Sequence, residues 1–308
     1  MKRYIPRRIK ERNRWLRSDG KPNFKTTLRK HLMKLEPLMI KELPLLTPTS
    51  ILLEACEFMS KHRLRVLPVT SPNNVLKGIV FGMDVIHLLA GDKRDVIRSH
   101  NITSLYEFIK LPVRKFMNDN PIVIDANTEV YNVIETMVLN NVGALPVVNK
   151  DGTFKGIISE SSLVKYLARK ITGVKVKEIM TKEVITSNIK RNLAQVMETM
   201  CVSGIRRVPI VDDKERIVGV ITWKTIIDLI GKHKVFSLLP RMRLEELLTM
   251  PISNLELDKP LAVTEDEDIG EVVFKMLELS EDYALVIEGE ALKGIITERD
   301  ILYGLLMR

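Results

Sequence analysis

One hydroxyl and one carboxylate three residues apart stand where a strand is expected to give way to a helix, and single members of this pair recur along the chain. The complete pair is Thr297 and Asp300 in GIITERDI, and single members occupy matching places as Asp84, Ser159 and Thr222. Such a pair has the form of a capping box, because the hydroxyl caps the helix and the acid lies near its positive end. A carboxylate close to a helix start can also bind ribose hydroxyls without any catalysis. The residues therefore predict either helix caps or a binding site.

No grouping of residue types in the sequence predicts catalysis or a metal site. The histidines have no His-x-x-x-His spacing and are scattered at His31, His62, His87, His100 and His233. The sequence contains no Gly-x-Ser-x-Gly motif, Walker loop or dinucleotide fingerprint. Cys56 and Cys201 fall on or beside apolar helical stripes, so we expect two buried thiols. The expected protein has no catalytic residues and no bound metal.

Four copies of one motif must position the hydroxyl and carboxylate residues. The segments GIVFGMDV, GIISESSL, GVITWKTI and GIITERDI begin at Gly78, Gly156, Gly219 and Gly294. An apolar stripe with spacing i, i+3, i+4, i+7 begins 25 or 26 residues before each glycine, and a short apolar strand lies between. This pattern predicts an α/β protein built from four β-α-β-β-α units that pack on one another.

The spacing of the glycines indicates two pairs of copies. Successive glycines lie 78, 63 and 75 residues apart, so longer connectors fall within the first pair and within the last pair. We number the copies 1 to 4 and place them at residues 37–92, 111–168, 174–231 and 250–306. Copies 1 and 2 are expected to form one domain over residues 37–168, and copies 3 and 4 a second over residues 174–308. Residues 1–36 are left as a separate basic arm.

With these motifs the chain resembles the CBS-domain family over residues 37–306. The resemblance implies four tandem CBS repeats that form two Bateman modules. That layout is similar to the nucleotide-sensing γ subunit of the AMP-activated kinase. The clefts between paired copies would bind an adenine-containing ligand, such as AMP, ADP, ATP or S-adenosylmethionine.

The resemblance also implies roles for individual residues, since a Ser or Thr after the glycine strand and an Asp three residues later reach phosphate and ribose in the family. These positions hold Asp84 in copy 1, Ser159 in copy 2, Thr222 in copy 3, and Thr297 with Asp300 in copy 4. Copy 1 has Phe81 in place of the hydroxyl, and copies 2 and 3 have Ser162 and Thr225 in place of the acid. Arg206 and Arg207 stand where the kinase subunit holds phosphate, although a solvated surface pair is an alternative reading.

The N-terminal arm carries almost all of the net charge. Residues 1–30 have twelve Lys or Arg and two acids, a net of +10, whereas the remaining 278 residues sum to −1. Basic and aromatic side chains together fit RNA, because they neutralise phosphate and stack on unpaired bases. The predicted RNA-binding residues are Arg3, Tyr4, Arg7, Arg8, Lys10, Arg12, Arg14, Trp15, Arg17, Lys21 and Lys25. A protein-docking tail, a solvated tail and a membrane-surface helix are the alternatives.

The sequence thus predicts a non-enzymatic regulatory protein that binds an adenine nucleotide and attaches through its arm to RNA, most plausibly ribosomal RNA. It would couple energy state to ribosome activity, in the manner of hibernation factors. The alternative is a nucleotide-sensing regulatory subunit of a kinase or another enzyme. No apolar run approaches the ~18 residues that cross a bilayer, and MKRYIPRRIK has no signal-peptide core, so we expect a cytoplasmic protein that is not a membrane partner. A homodimer is possible.

Overall fold

The computed structural model describes residues 34–165, 168, 170–257 and 259–306. Over these residues the chain is an α/β protein in which the repeated unit occurs four times, so the predicted fold class is confirmed. Residues 1–33, which make up most of the predicted arm, lie outside the described residues. Among the helices that the structure describes, none has the length and apolar character needed to cross a membrane.

Copies 1 and 2 share the order helix, strand, strand, helix. Copy 1 contains helix α1 (Leu52–His62), strands β1 (Val66–Thr70) and β2 (Leu76–Phe81), and helix α2 (Gly82–Ala90). The connector to copy 2 contains helices α3 (Arg94–Ser99) and α4 (Leu105–Ile109) and a 3-10 turn at Val113–Lys115. Copy 2 contains β3 (Ile124–Asp125), α5 (Val130–Asn140), β4 (Ala144–Val148), β5 (Phe154–Ser159) and α6 (Glu160–Val164).

Copies 3 and 4 repeat this order. Copy 3 contains α7 (Val176–Ile179), β6 (Ser187–Asn188), α8 (Leu193–Ser203), β7 (Arg207–Val211), β8 (Ile217–Thr222) and α9 (Trp223–Gly231). Helices α10 (Lys234–Leu238) and α11 (Leu244–Thr249) and a 3-10 turn at Ile252–Asn254 lead into copy 4. Copy 4 contains β9 (Ala262–Val263), α12 (Ile269–Glu278), β10 (Tyr283–Glu288), β11 (Ala291–Thr297) and α13 (Glu298–Leu306).

The first long helix of each copy buries the apolar stripe found in the sequence. In α1 the buried residues are Leu52, Ala55, Cys56 and Met59, which are the four stripe positions. The second helix begins directly after the glycine strand, at Gly82 in copy 1. The reason is local, because the carboxylate of Asp84 accepts a hydrogen bond of 2.6 Å from the backbone N–H of Phe81 and closes the first turn.

Each sheet has one antiparallel hairpin with a short parallel strand beside it. In copies 2, 3 and 4 this short strand pairs with the first hairpin strand, as β3 pairs with β4. In copy 1 it is reduced to a single parallel bridge between Leu46 and Val69. Every hairpin has a register shift near the end of its first strand, so the irregularity is repeated along with the rest of the unit.

The glycine of the repeated motif lies where the backbone of the paired copy comes close. A Cβ at Gly78 would stand 2.7 Å from the backbone oxygen of Asn118, in the segment that enters copy 2. A Cβ at Gly294 would stand 2.9 Å from the backbone oxygen of Thr181, in the segment that enters copy 3. Ile79 and Asn118 also exchange two backbone hydrogen bonds of 2.9 Å. The glycine therefore permits one copy to add its entry segment to the sheet of its partner.

Apolar side chains join the sheets within each pair of copies. The sheets of copies 1 and 2 meet through Val66, Ile79, Ala144, Phe154 and Ile157. The sheets of copies 3 and 4 meet through Val220, Tyr283, Leu285 and Ile295. The pairing of the copies follows the spacing of the glycines, and each sheet buries its second face against its partner.

Helices join one pair of copies to the other. Helix α9 of copy 3 packs on α1 of copy 1, and α8 packs on α2, within one buried core. Helix α13 of copy 4 packs on α6 of copy 2 in a second core. Copy 1 thus contacts copy 2 through its sheet and copy 3 through its helices. Because every copy has two such neighbours, the four copies surround a common centre.

We expect Gly78→Ala to lower the free energy of unfolding by about 1–3 kcal/mol, because the added methyl group would overlap a backbone oxygen that is itself hydrogen-bonded. Urea denaturation followed by circular dichroism measures this change. Lys77→Ala is the matched control, since Lys77 is the exposed neighbour in the same strand. Equal stability of the two variants would contradict the close approach of the two copies.

Candidate functional site

The hairpin of each copy brings two residues together at the same end of the sheet. The residue before the first hairpin strand accepts, through its carbonyl, a hydrogen bond from the N–H of the residue after the glycine strand. The residues before the strand are Arg65, Gly143, Arg206 and Asp282. The residues after the glycine strand are Gly82, Glu160, Trp223 and Glu298. One backbone arrangement, repeated four times, therefore presents four different pairs of side chains.

Polar side chains from these hairpin ends form a cluster at the centre of the molecule. We call it the central cluster, and its members are Arg65, Glu160, Arg206, Arg207, Asp282, Glu298, Arg299 and Tyr303. The cluster combines residues from all four copies. It therefore lies where side chains of all four copies meet.

Glu160 is the residue that joins the central cluster together, and its carboxylate is fully buried. Oε1 accepts hydrogen bonds from Nε of Arg299 at 2.7 Å and from the hydroxyl of Tyr303 at 3.3 Å. Oε2 lies 3.4 Å from Nη2 of Arg206 and 3.5 Å from Nη2 of Arg65. The three arginines come from copies 4, 3 and 1. A single carboxylate of copy 2 is thus paired with a cation from each of the other three copies.

Further ion pairs surround this carboxylate. Arg65 donates from Nη1 to Glu298 at 3.2 Å and from Nη2 to the carbonyl of Gly143. Nη2 of Arg207 lies 2.5 Å from Oδ2 of Asp282. The first two contacts join copy 1 to copies 4 and 2, and the third joins copy 3 to copy 4. Every cation of the central cluster therefore contacts an anion or a carbonyl of another copy, as buried charge requires.

Gly143 leaves the space that this packing needs. A Cβ at that position would stand 2.6 Å from Oε2 of Glu160 and 3.2 Å from Nη2 of Arg65. The equivalent position is arginine in copies 1 and 3 and aspartate in copy 4. Copy 2 has a glycine there because its own carboxylate and the arginine of copy 1 occupy the volume.

The pKa values of the central cluster show which charges are compensated. Burial raises the pKa of Glu160, but the charges of Arg299, Arg65 and Arg206 outweigh burial and lower it to about 2. Burial and the neighbouring Arg65 lower the pKa of Arg206 to about 9, although Glu160 opposes them. Burial raises the pKa of Glu298, an effect that Arg65 opposes. Glu160 is firmly ionised, and the cations around it are crowded.

Two buried donors in this region have no acceptor among the residues that the structure describes. One is Nε of Arg207 and the other is the indole Nε1 of Trp223. The backbone N–H of Trp223 donates to the carbonyl of Arg206, and its indole ring lies against Gly82 of copy 1. Buried donors normally have partners, so this region has capacity for an additional acceptor.

The structure places Arg206 and Arg207 in the central cluster, not on the surface. Arg207 keeps 5% of its side-chain exposure and Arg206 keeps 22%. The surface-pair alternative for these two residues is therefore wrong. The hydroxyl and carboxylate residues lie at the four helix starts beside the cluster, where they make capping contacts.

The capping contacts differ between the copies. Ser159 and Thr222 accept hydrogen bonds from the backbone N–H three residues later, and both are buried. Asp300 accepts a hydrogen bond of 2.6 Å from the hydroxyl of Thr297 and one of 3.3 Å from the hydroxyl of Thr181. The capping-box form of the sequence is thus realised in the structure, and it leaves open whether these residues also bind a ligand.

In copy 1 a lysine from the connector reaches the same position. Nζ of Lys93 lies 2.6 Å from Oδ1 of Asp84 and also donates to the carbonyl of Phe116. Asp84 therefore has both a cap and an ion pair. The corresponding carboxylate of Asp300 contacts hydroxyl groups, so the two acids have different electrostatic surroundings.

Sequence reasoning missed most of the central cluster. It singled out Arg206 and Arg207 and did not identify Arg65, Glu160 or Arg299. A signal was available, because alignment of the four copies shows arginine before the first hairpin strand in copies 1 and 3 and glutamate after the glycine strand in copies 2 and 4. The contacts between copies could not be read from that alignment.

The eleven predicted RNA-binding residues of the arm all lie outside the described residues. They are Arg3, Tyr4, Arg7, Arg8, Lys10, Arg12, Arg14, Trp15, Arg17, Lys21 and Lys25. Their role stays a prediction. Among the residues that the structure describes, no group of three His, Cys, Asp or Glu side chains could hold a metal ion.

Comparison with known protein families gives four matches along the chain. The family model for the CBS domain matches residues 35–91, 113–169, 176–232 and 252–306. Each match covers one of the four copies. The boundaries agree with those of the repeated structural unit.

Two archaeal proteins are similar over most of the chain. A 33.4 kDa protein in a ribosomal RNA operon of Thermofilum pendens is 31% identical over 255 residues, which are 82% of this chain and 85% of that protein. Protein MJ1225 of Methanocaldococcus jannaschii is 29% identical over 267 residues, 85% of this chain and 95% of that protein. Its crystal structure, presented as that of a proposed archaeal homologue of γ-AMPK, has a TM-score of 0.80 and 27% identity over 88% of this chain and 99% of its own.

A conserved protein of Pyrococcus horikoshii shares the fold, with a TM-score of 0.55 at 18% identity over 89% of this chain and all of its own.

We expect the contribution of Glu160 to stability to be lost in acid. Its folded pKa of about 2 lies below the ordinary value of 4.5, so the contribution is fully present above pH ~5 and declines as the pH falls toward 2. The difference in unfolding free energy between the wild type and Glu160→Gln should therefore shrink by about 2 kcal/mol between about pH 6 and pH 3. Urea denaturation at each pH measures it.

Comparison with the variant cancels the titration of other groups, including Glu298, whose raised pKa acts in the opposite direction. A difference that stays constant across this pH range would contradict the ionised, arginine-bound state of Glu160.

Proposed function

Because the chain belongs to the CBS-domain family, we propose that it is a non-enzymatic regulatory protein that binds AMP, ADP or ATP where its four repeats meet. The observation that carries this proposal is the convergence of four largely buried guanidinium groups in the central cluster. They belong to Arg65, Arg206, Arg207 and Arg299. Guanidinium groups stay charged and bind two phosphate oxygens at once, so this is the chemistry that a nucleotide phosphate requires.

The relatives support a regulatory role. Protein MJ1225, presented as a proposed archaeal homologue of γ-AMPK, covers nearly the whole of the described fold at a TM-score of 0.80. An arrangement of four copies around a centre suits a sensor, because a ligand held there contacts both pairs of copies. Binding would then alter how the pairs pack on each other.

We assign the ribose and the phosphate to different residues. Asp300 and Thr297 in copy 4 would hold the ribose, because the 3.3 Å hydrogen bond from Thr181 to Asp300 is long enough for a ribose hydroxyl to replace. Asp84 would do so in copy 1 only if Lys93 moves. Ser159 in copy 2 and Thr222 in copy 3 supply hydroxyls without the acid, so they offer weaker sites. Arg206 and Arg207 would take the phosphates.

We expect AMP or ATP to raise the melting temperature of the wild type and Asp300→Asn to abolish this rise, since the amide removes the charged acceptor for the ribose hydroxyls. Differential scanning fluorimetry at increasing nucleotide concentration measures both. Asp268→Asn is the matched control, because Asp268 also accepts a backbone hydrogen bond at a helix start, that of α12, but is not a member of the central cluster. The control should lose intrinsic stability and keep the nucleotide-dependent rise.

A wild type that no adenine nucleotide stabilises would contradict the proposal. The central cluster would then be an ion-pair network that only fastens the four copies together.

We propose further that the basic arm attaches this regulatory body to ribosomal RNA. The support is the net charge of +10 on residues 1–30, together with a relative in Thermofilum pendens that is named for its place in a ribosomal RNA operon. Lys and Arg neutralise phosphate, and Tyr4, Trp15 and Phe24 can stack on unpaired bases. The protein would then couple nucleotide balance to ribosome activity.

We expect the full-length protein to co-sediment with ribosomal subunits and the variant that lacks residues 1–30 not to do so. Binding should fall steeply with salt, by roughly a thousandfold between 50 and 200 mM if about six phosphates are contacted. Alanine at Tyr4, Trp15 and Phe24 keeps the charge and removes stacking, so it should weaken binding without abolishing it. Unchanged sedimentation of the deletion variant would contradict the role of the arm.

A regulatory subunit of a kinase or another enzyme is the second candidate function. The similarity to protein MJ1225, with its relation to γ-AMPK, favours it. A protein partner recovered with the full-length chain after nuclease treatment would support this function over the ribosomal one. The proposed nucleotide site is the same in both.

A further inference from the structure

We propose that Glu160 competes with the ligand phosphate for two arginines of the central cluster. This inference rests on the proposed function and concerns its regulation. In the absence of nucleotide, the carboxylate holds Arg65 and Arg206. A bound phosphate draws these two guanidinium groups away from it.

The contacts of Glu160 are unequal, and the inequality points to the arginines that can be released. Arg299 lies at 2.7 Å, the length of a charge-assisted hydrogen bond. Arg206 and Arg65 lie at 3.4 and 3.5 Å, beyond the usual length of such a bond. Two of the three cations are therefore held loosely by Oε2, while Arg299 fixes Oε1.

The guanidinium groups are more accessible than the carboxylate that they surround, including Arg299, whose side chain keeps 18% of its exposure. The side chain of Arg206 keeps 22% of its exposure and that of Arg65 keeps 12%, whereas Glu160 has none. An anion that arrives from solvent meets the guanidinium groups before it meets the carboxylate. Competition can therefore begin without any prior opening of the core.

The cluster has the charge to accept a further anion. Four guanidinium groups face the carboxylates of Glu160, Asp282 and Glu298, and the last of these has a raised pKa. Burial lowers the pKa of Arg206, and crowding by the like charge of Arg65 lowers it further. A phosphate relieves this crowding, but it is also repelled by the carboxylate beside it. The affinity is set by the balance of the two effects.

Release of Arg65 and Arg206 would change the contact between the copies. These residues tie Glu160 to copies 1 and 3, which share one helical core, whereas Arg299 and Tyr303 tie it to copy 4. Phosphate binding would therefore loosen the link between the two helical cores and leave copies 2 and 4 together. Glu160 is the first residue of α6, and α6 packs on α13, so the change reaches the packing of helices.

The test measures the affinities of adenosine and AMP by isothermal titration calorimetry in the wild type and in Glu160→Gln. We expect AMP to bind the variant about tenfold more tightly, because the amide competes poorly for guanidinium groups. Adenosine has no phosphate, so its affinity should not change. Glu183→Gln removes the same charge from an exposed position and is the control, with both affinities unchanged.

Equal or weaker AMP binding by Glu160→Gln, with adenosine binding unchanged, would overturn the inference, since Glu160 would then organise the arginines and not compete for them. If neither protein binds adenosine or AMP, the proposed function itself fails. These two failures are distinguished by the wild type alone.

A second variant keeps the test decisive if Glu160→Gln does not fold. Glu160→Asp keeps the charge but withdraws it by one methylene from Arg65 and Arg206, and we expect about threefold tighter AMP binding. Arg206→Met should weaken AMP binding and leave adenosine binding unchanged. An AMP affinity that Glu160→Asp leaves unaltered or weakens would overturn the inference.

Discussion

One buried carboxylate, that of Glu160, sets the arrangement of the centre of this protein. It has no exposure to solvent, and its charge is compensated by guanidinium groups from the three other copies. An uncompensated charge at this depth would be strongly destabilising, so the four copies must stay close enough to supply those partners. The absence of a side chain at Gly143 and the hydrogen bonds at Arg65 are both consequences of this requirement.

The centre is made by divergence within a repeated backbone. Each hairpin presents one residue before its first strand and one after its glycine strand, in the same geometry four times. Copies 1 and 3 have arginine before the first hairpin strand, whereas copies 2 and 4 have glutamate after the glycine strand. Arginines of one helical core thus face carboxylates of the other. The repeated hairpin supplies the positions, and the different residue types at those positions supply the charge pattern.

The same residues serve stability and the proposed binding function. Asp300 and Asp84 each cap a helix, and a ribose hydroxyl would use lone pairs that now accept other contacts. The arginines are likewise paired before any ligand arrives. A nucleotide would therefore rearrange existing interactions and not fill a prepared void, which is what allows binding to alter the packing of the copies.

The sequence by itself determined the repeated unit, its helical stripes and the pairing of the copies, because these depend on local periodicity and on spacing along the chain. It also predicted the capping residues, since their signal is local, whereas Arg206 and Arg207 were singled out by the family resemblance. Only the tertiary structure decided that Glu160 meets Arg65, Arg206 and Arg299, because each arginine lies 46 to 139 positions from Glu160 along the chain. Their contact depends on how two pairs of copies pack, and no periodicity along one chain encodes which side chains then face each other.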